Sequence, residues 1–72
     1  MNKNPEVIKT AQYVHGLFSN DDRKVIGVEL VSYIYCTICT VKLHFEDGSS
    51  ELLNGLLAYE IIKKTSPLYG KP

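Results

Sequence analysis

The sequence predicts a small α+β domain in the order helix, three-stranded antiparallel β-meander, helix, with the helices on one face of the sheet. Three observations lead there: an apolar stripe of helical period in residues 5–18, a long run of strand-forming residues from Val25 to Phe45, and a second helical stripe after Asn54. Length sets the frame, because 72 residues permit one small core near the lower limit for folding without disulfides, metal or a partner. Residues 1–72 are therefore read as a single domain, with about 1–4 and 66–72 as loosely ordered tails, and oligomerisation as a way to bury more surface.

Asn4, Pro5 and Glu6 mark the first helix start: Asn caps orphan amides, Pro is preset for the first turn, and an early acid favours the helix dipole. The helix is expected from Pro5 to Phe18. Val7, Ala11, Val14 and Phe18, joined by Ile8 and Leu17, form its stripe, which needs a sheet to cover. The polar cluster SNDDRK at 19–24 then reads as a loop.

Val25 to Phe45 poses a problem of length. As one strand these 21 residues would run ~70 Å at ~3.3 Å per residue. A chain of this size has a radius of gyration of only ~11 Å and a diameter of roughly 30 Å. The chain must reverse, yet residues 31–45 contain no Gly, Pro, Asn or Asp. Parity suggests where. Up to Leu30 the even positions Ile26, Val28 and Leu30 carry the apolar set, whereas from Cys39 the odd positions Cys39, Val41, Leu43 and Phe45 do. A hairpin centred near Ile34 and Tyr35 sets Leu30 opposite Cys39, Val28 opposite Val41 and Ile26 opposite Leu43, all on one buried face. A bulge near Ile38 would also change parity, but leaves an overlong bent strand, so the hairpin is preferred.

Asp47-Gly48 supplies the second reversal as a two-residue turn, pairing Leu43 with Leu52 on the core face and giving a third strand from about Ser49 to Leu53. Asn54 is placed to cap a second helix from about Gly55 to Lys64, with Leu57, Ala58, Ile61 and Ile62 inward and the closing lysines suited to the dipole. Thr65, Ser66 and Pro67 end it.

The open face of the sheet is then expected to hold Val25, Val31, Leu53, Tyr33 and Tyr35 beside Glu29, Lys42, His44 and Glu46, a mixture too apolar to be left in water. Tyr33, Ile34, Tyr35, Cys36, Thr37 and Ile38 are read as an interaction surface that another protein covers, either a second copy in a homodimer or a larger partner. The competing reading folds these residues under a helix as core.

Charge and composition narrow the functions. Lys plus Arg number 8 and Asp plus Glu 8, so no net field draws the chain to nucleic acid or an anionic membrane. No apolar run nears the ~20 residues of a membrane span, and the polar N-terminus lacks the apolar stretch of a signal peptide. A cytoplasmic location is expected, and two cysteines suit a reducing compartment. Cys36 and Cys39 form a C-x-x-C which, with His44, resembles the first three ligands of a zinc knuckle. Ser49 holds the fourth place and the glycines are missing, so the cysteines are taken as buried or interfacial thiols and no metal or cofactor is expected. His15 and His44 fall on different elements, Asp21 and Asp22 sit in a polar loop, and the glycines are scattered, so no triad or phosphate cradle emerges and no enzyme is expected. The expected function is a small non-enzymatic binding or regulatory module, of the size of bacterial or phage accessory proteins. The alternative is a single-stranded nucleic-acid-binding module that stacks bases on Tyr33 and Tyr35 beside Lys42.

Overall fold

In the computed structural model, which describes residues 2–20 and 22–65, the elements follow the expected order. They are α1 (Pro5–Phe18), β1 (Val25–Tyr35), β2 (Ile38–Phe45), β3 (Ser50–Asn54) and α2 (Leu56–Thr65), and the antiparallel sheet has the order β1-β2-β3. Both helices pack on one face of that sheet and against each other. Residues 66–72, with the expected helix stop and C-terminal tail, lie outside the described residues, as does Asp21. No helix among the described residues is long and apolar enough to cross a membrane.

α1 starts as its sequence dictates: the Asn4 side chain accepts the Glu6 N–H at 2.9 Å, and Pro5 occupies the first turn. Val7, Ala11 and Val14 are buried as expected, but the stripe is completed by His15, four residues after Ala11, while Leu17 is exposed. Ahead of the helix, Asn2 exchanges both backbone hydrogen bonds with Val28, at 2.7 and 2.9 Å, on the outer edge of β1. Gln12 performs a similar service for the loop into β1. Its amide donates to the Arg23 carbonyl at 3.1 Å and accepts the Val25 N–H at 2.8 Å, standing in for a missing strand neighbour.

The first hairpin exists, but its register differs by two residues from expectation. Val28 faces Leu43 and Leu30 faces Val41, because the chain reverses at Cys36 and Thr37, with Tyr35 opposite Ile38. The parity change is shared between this turn and three irregularities in β1, at Val25/Gly27, Leu30/Ser32 and Tyr33/Tyr35. The first of these lets both Val25 and Val28 point inward. Val25 thus belongs to the core rather than the open face, and Ile26 is partly exposed. No residue of the turn has positive φ. A two-residue turn of that kind splays its strands, and the irregularity around Ile34 directly below takes up the mismatch.

The second hairpin corrects a further expectation. Phe45 N–H donates to the Ser49 carbonyl and Gly48 N–H to the Phe45 carbonyl, both at 3.0 Å, which encloses a three-residue loop rather than two. Gly48, at φ 91°, provides the left-handed residue that this loop requires. The extra residue slips β3 by one, so Leu43 faces Glu51, Lys42 faces Leu52 and Val41 faces Leu53. Every side chain of the strand changes face. Leu53 is in the core, Leu52 is on the open face, and Glu51 points toward the helices. Asn54 ends β3 and its side chain accepts the Thr40 hydroxyl at 2.7 Å, while Gly55, at φ 70°, makes the turn into α2. Phe45 is the largest fully buried side chain, packed with Leu43, Ile61, Ile62 and the valines of α1, β1 and β2.

Candidate functional site

The hairpin end is built by β1, β2 and the first turn of α2. Gly55 N–H donates to the Cys39 carbonyl at 3.0 Å, which holds the start of α2 against the first residues of β2. Cys39 faces Tyr33 across the ladder, and both look toward the helices. Cys39 is buried, and its thiol donates to the Gly55 carbonyl at 3.4 Å. Burial, with Cys36 nearby, raises its pKa. Tyr33 is half-buried and packs against the core; desolvation first, and then Tyr59, raise the pKa of its phenol. Tyr33 therefore leaves the open face expected for it and closes the top of the core.

The other residues of the expected surface behave differently. Ile34, Tyr35 and Ile38 are 75%, 64% and 57% exposed, Thr37 is exposed and Cys36 is half-buried. Val31 on β1 and Leu56 and Leu57 on α2 are also exposed. The proximity of Gly55 to Thr37 and Cys39 brings the leucine pair to the same end of the molecule. Ile34, Tyr35, Ile38, Leu56 and Leu57, from three elements, thus stand in water at one end, which a small monomer seldom tolerates.

A polar cluster at the opposite end went unread in the sequence. His15 is fully buried, its Nε2 3.2 Å from Glu51 Oε2, and the carboxylate selects the tautomer with its proton on Nε2. Arg23 also bonds Glu51, donates to Ser49 Oγ at 2.8 Å and lies 4.2 Å above the Phe45 ring. The His15 ring meets Phe45 from another side, with centroids 5.0 Å apart. The signal that could have found this group is Glu51 itself: it reaches His15 and Arg23 only in the slipped register. A histidine held by a carboxylate has the makings of a general base, but this one is buried on the inner face of α1 against the sheet, and the cluster's evident work is to tie α1, the loop and β3 together.

On the open face, His44 Nε2 contacts Glu29 Oε1 at 3.0 Å, and Glu29 also faces Lys42. Cys39 and His44 therefore lie on opposite faces of the sheet and do not share a ligand set. Among the described residues, no group of three or more His, Cys, Asp or Glu side chains is arranged to hold a metal ion. No protein-family model, curated protein or solved structure matches the chain.

Proposed function

We propose that the protein is a non-enzymatic protein-binding module that acts through its hairpin end, as a homodimer or by docking on a larger protein. The observation that carries this reading is the exposure of Ile34, Tyr35 and Ile38 at the tip, with the exposed Leu56 of α2 at the same end. Beside them runs the outer edge of β1. Among the described residues that edge is paired at Val28, by Asn2, and none pairs with it toward Leu30 and the tip, which leaves room for strand addition. Apolar anchors beside an open strand edge are what a protein partner uses, one for affinity and the other for register.

The nucleic-acid alternative has less to build on. It needs several aromatic platforms on one open face, and Tyr33 is turned into the core while Glu29 lies against His44 and opposite Lys42. Light scattering across a concentration series, with capture from the native host, tests the proposal. The expected result is a dimer or a specific complex that Tyr35→Ala with Ile38→Ala dissolves while circular dichroism is unchanged. A concentration-independent monomer that captures no partner would sink it.

A further inference from the structure

Away from the hairpin end, a cleft of about 600 Å³ lies between the outer flank of α1 and the entry to β1. Pro5, Ile8 and Tyr13 give it an apolar wall, with the entry to β1 at Val25 behind it, and Lys3, Lys9 and Lys24 stand around it. Among the described residues that line it there is no carboxylate, although the chain as a whole carries as many acids as bases. The ion pairs among the described residues use Arg23, His15, His44 and Lys63 and not these three lysines, although Lys24 also borders a second hollow with Asp22, Glu46 and Asp47. Gln12, behind the wall, has both ends of its amide committed to the Arg23 carbonyl and the Val25 N–H, which keeps the α1 and β1 sides of the cleft in fixed relation.

Volume, apolar wall and a few convergent polar groups are the attributes of a small-molecule site. The sign of the charge selects the ligand, because lysines bordering a low-dielectric wall favour an anion in the cleft. The occupant is better read as a small molecule than as an extended peptide. Asn2 already pairs with Val28 along this side of β1 and takes up the backbone groups a peptide strand would need there. We propose that the cleft binds an amphiphilic carboxylate, with its alkyl chain against Pro5, Ile8 and Tyr13 and its head toward the lysines. This site is independent of the protein-binding reading above.

Amide chemical shifts of the full-length protein, followed during titration with dodecanoate, dodecyl maltoside and acetate, test it. Dodecanoate below its micelle concentration is expected to shift Ile8, Tyr13 and Val25 saturably, about tenfold or more tighter than the uncharged maltoside, with acetate inert. Lys9→Gln with Lys24→Gln should remove that preference with circular dichroism unchanged. Should the pair of substitutions unfold the chain, Tyr13→Ala, which alters an exposed ring, is expected to weaken both alkyl ligands. Equal affinity for dodecanoate and maltoside, shifts centred on Ile34, Tyr35 and Ile38, or no saturable shift would each overturn the proposal.

Discussion

The two ends of β2 invert the usual distribution of side chains. At its C-terminal end a histidine is fully buried and an arginine stacks on Phe45, both held by Glu51. At its N-terminal end isoleucines and a tyrosine stand in water. Polar groups go inside where a partner satisfies them, and apolar groups stay outside where none of the described elements covers them. With two helices over a three-stranded sheet, the coverage runs out at the hairpin tip. The difference teaches that one end of this fold covers its large apolar side chains, while the other, among the described residues, leaves them exposed.

Equivalent truncations at the two ends should therefore do opposite things. Phe45→Ala removes the largest fully buried side chain and is expected to cost about 3–5 kcal/mol, enough to unfold a domain this small. Ile38→Ala, seven residues earlier on the same strand, should stay within about 0.5 kcal/mol in the same urea titration. Comparable losses at both sites would mean that the tip belongs to the core and would erase the contrast.

Tyr33 and Tyr35 sharpen the comparison within the tip itself. Tyr33 packs on the core and Tyr35 does not, so Tyr33→Ala should lower stability while Tyr35→Ala should leave folding intact and weaken association by about 2 kcal/mol or more. Thermal melts and light scattering on the two single variants separate the roles. If Tyr35→Ala changes neither mass nor partner capture, the hairpin-end reading loses its central anchor.

How much of this was legible follows from what each feature depends on. The helices and the strand order depend on period, and the stripes of Val7–Ala11–Val14 and Ala58–Ile61–Ile62 declare it. Register depends on loop length, and Asp47-Gly48 serves a two-residue and a three-residue loop equally well. One residue of difference moved Leu53 inward and Leu52 outward, and brought Glu51 to His15, so the polar cluster could not be read before the loop was known. The tip was legible as a place where the chain had to reverse without help. Its turn residues were not, because Cys36 and Thr37 adopt no conformation that favours a particular residue type.

Gly48 tests the loop that set this register. At φ 91° a β-branched side chain is strained whatever the space around it, so Gly48→Val should destabilise by about 1–2 kcal/mol in chemical denaturation. A neutral result would place the reversal in another conformation and return Glu51 to the open face. The cysteines offer a smaller contrast of the same kind. Cys39 is buried with its pKa raised, whereas Cys36 is half-buried, so iodoacetamide should label Cys36 first in the native protein and both only after unfolding. Mass spectrometry of a time course reads the order, and simultaneous labelling would show that the tip opens readily.

The smallest expected effect lies in the loop beside the well-satisfied end. Asp47 accepts hydrogen bonds from both the hydroxyl and the N–H of Ser49, and these hold its carboxyl below the ordinary aspartate pKa. A carboxyl with a depressed folded pKa contributes stability above its unfolded pKa, and that contribution fades as pH falls through the folded value. Asp47→Asn keeps an acceptor oxygen in place but removes the charge. The gap in melting temperature between the natural protein and this variant should therefore be present at neutral pH and close on acidification below the ordinary aspartate range. A gap that persists unchanged into acid would assign it to altered loop geometry instead of charge.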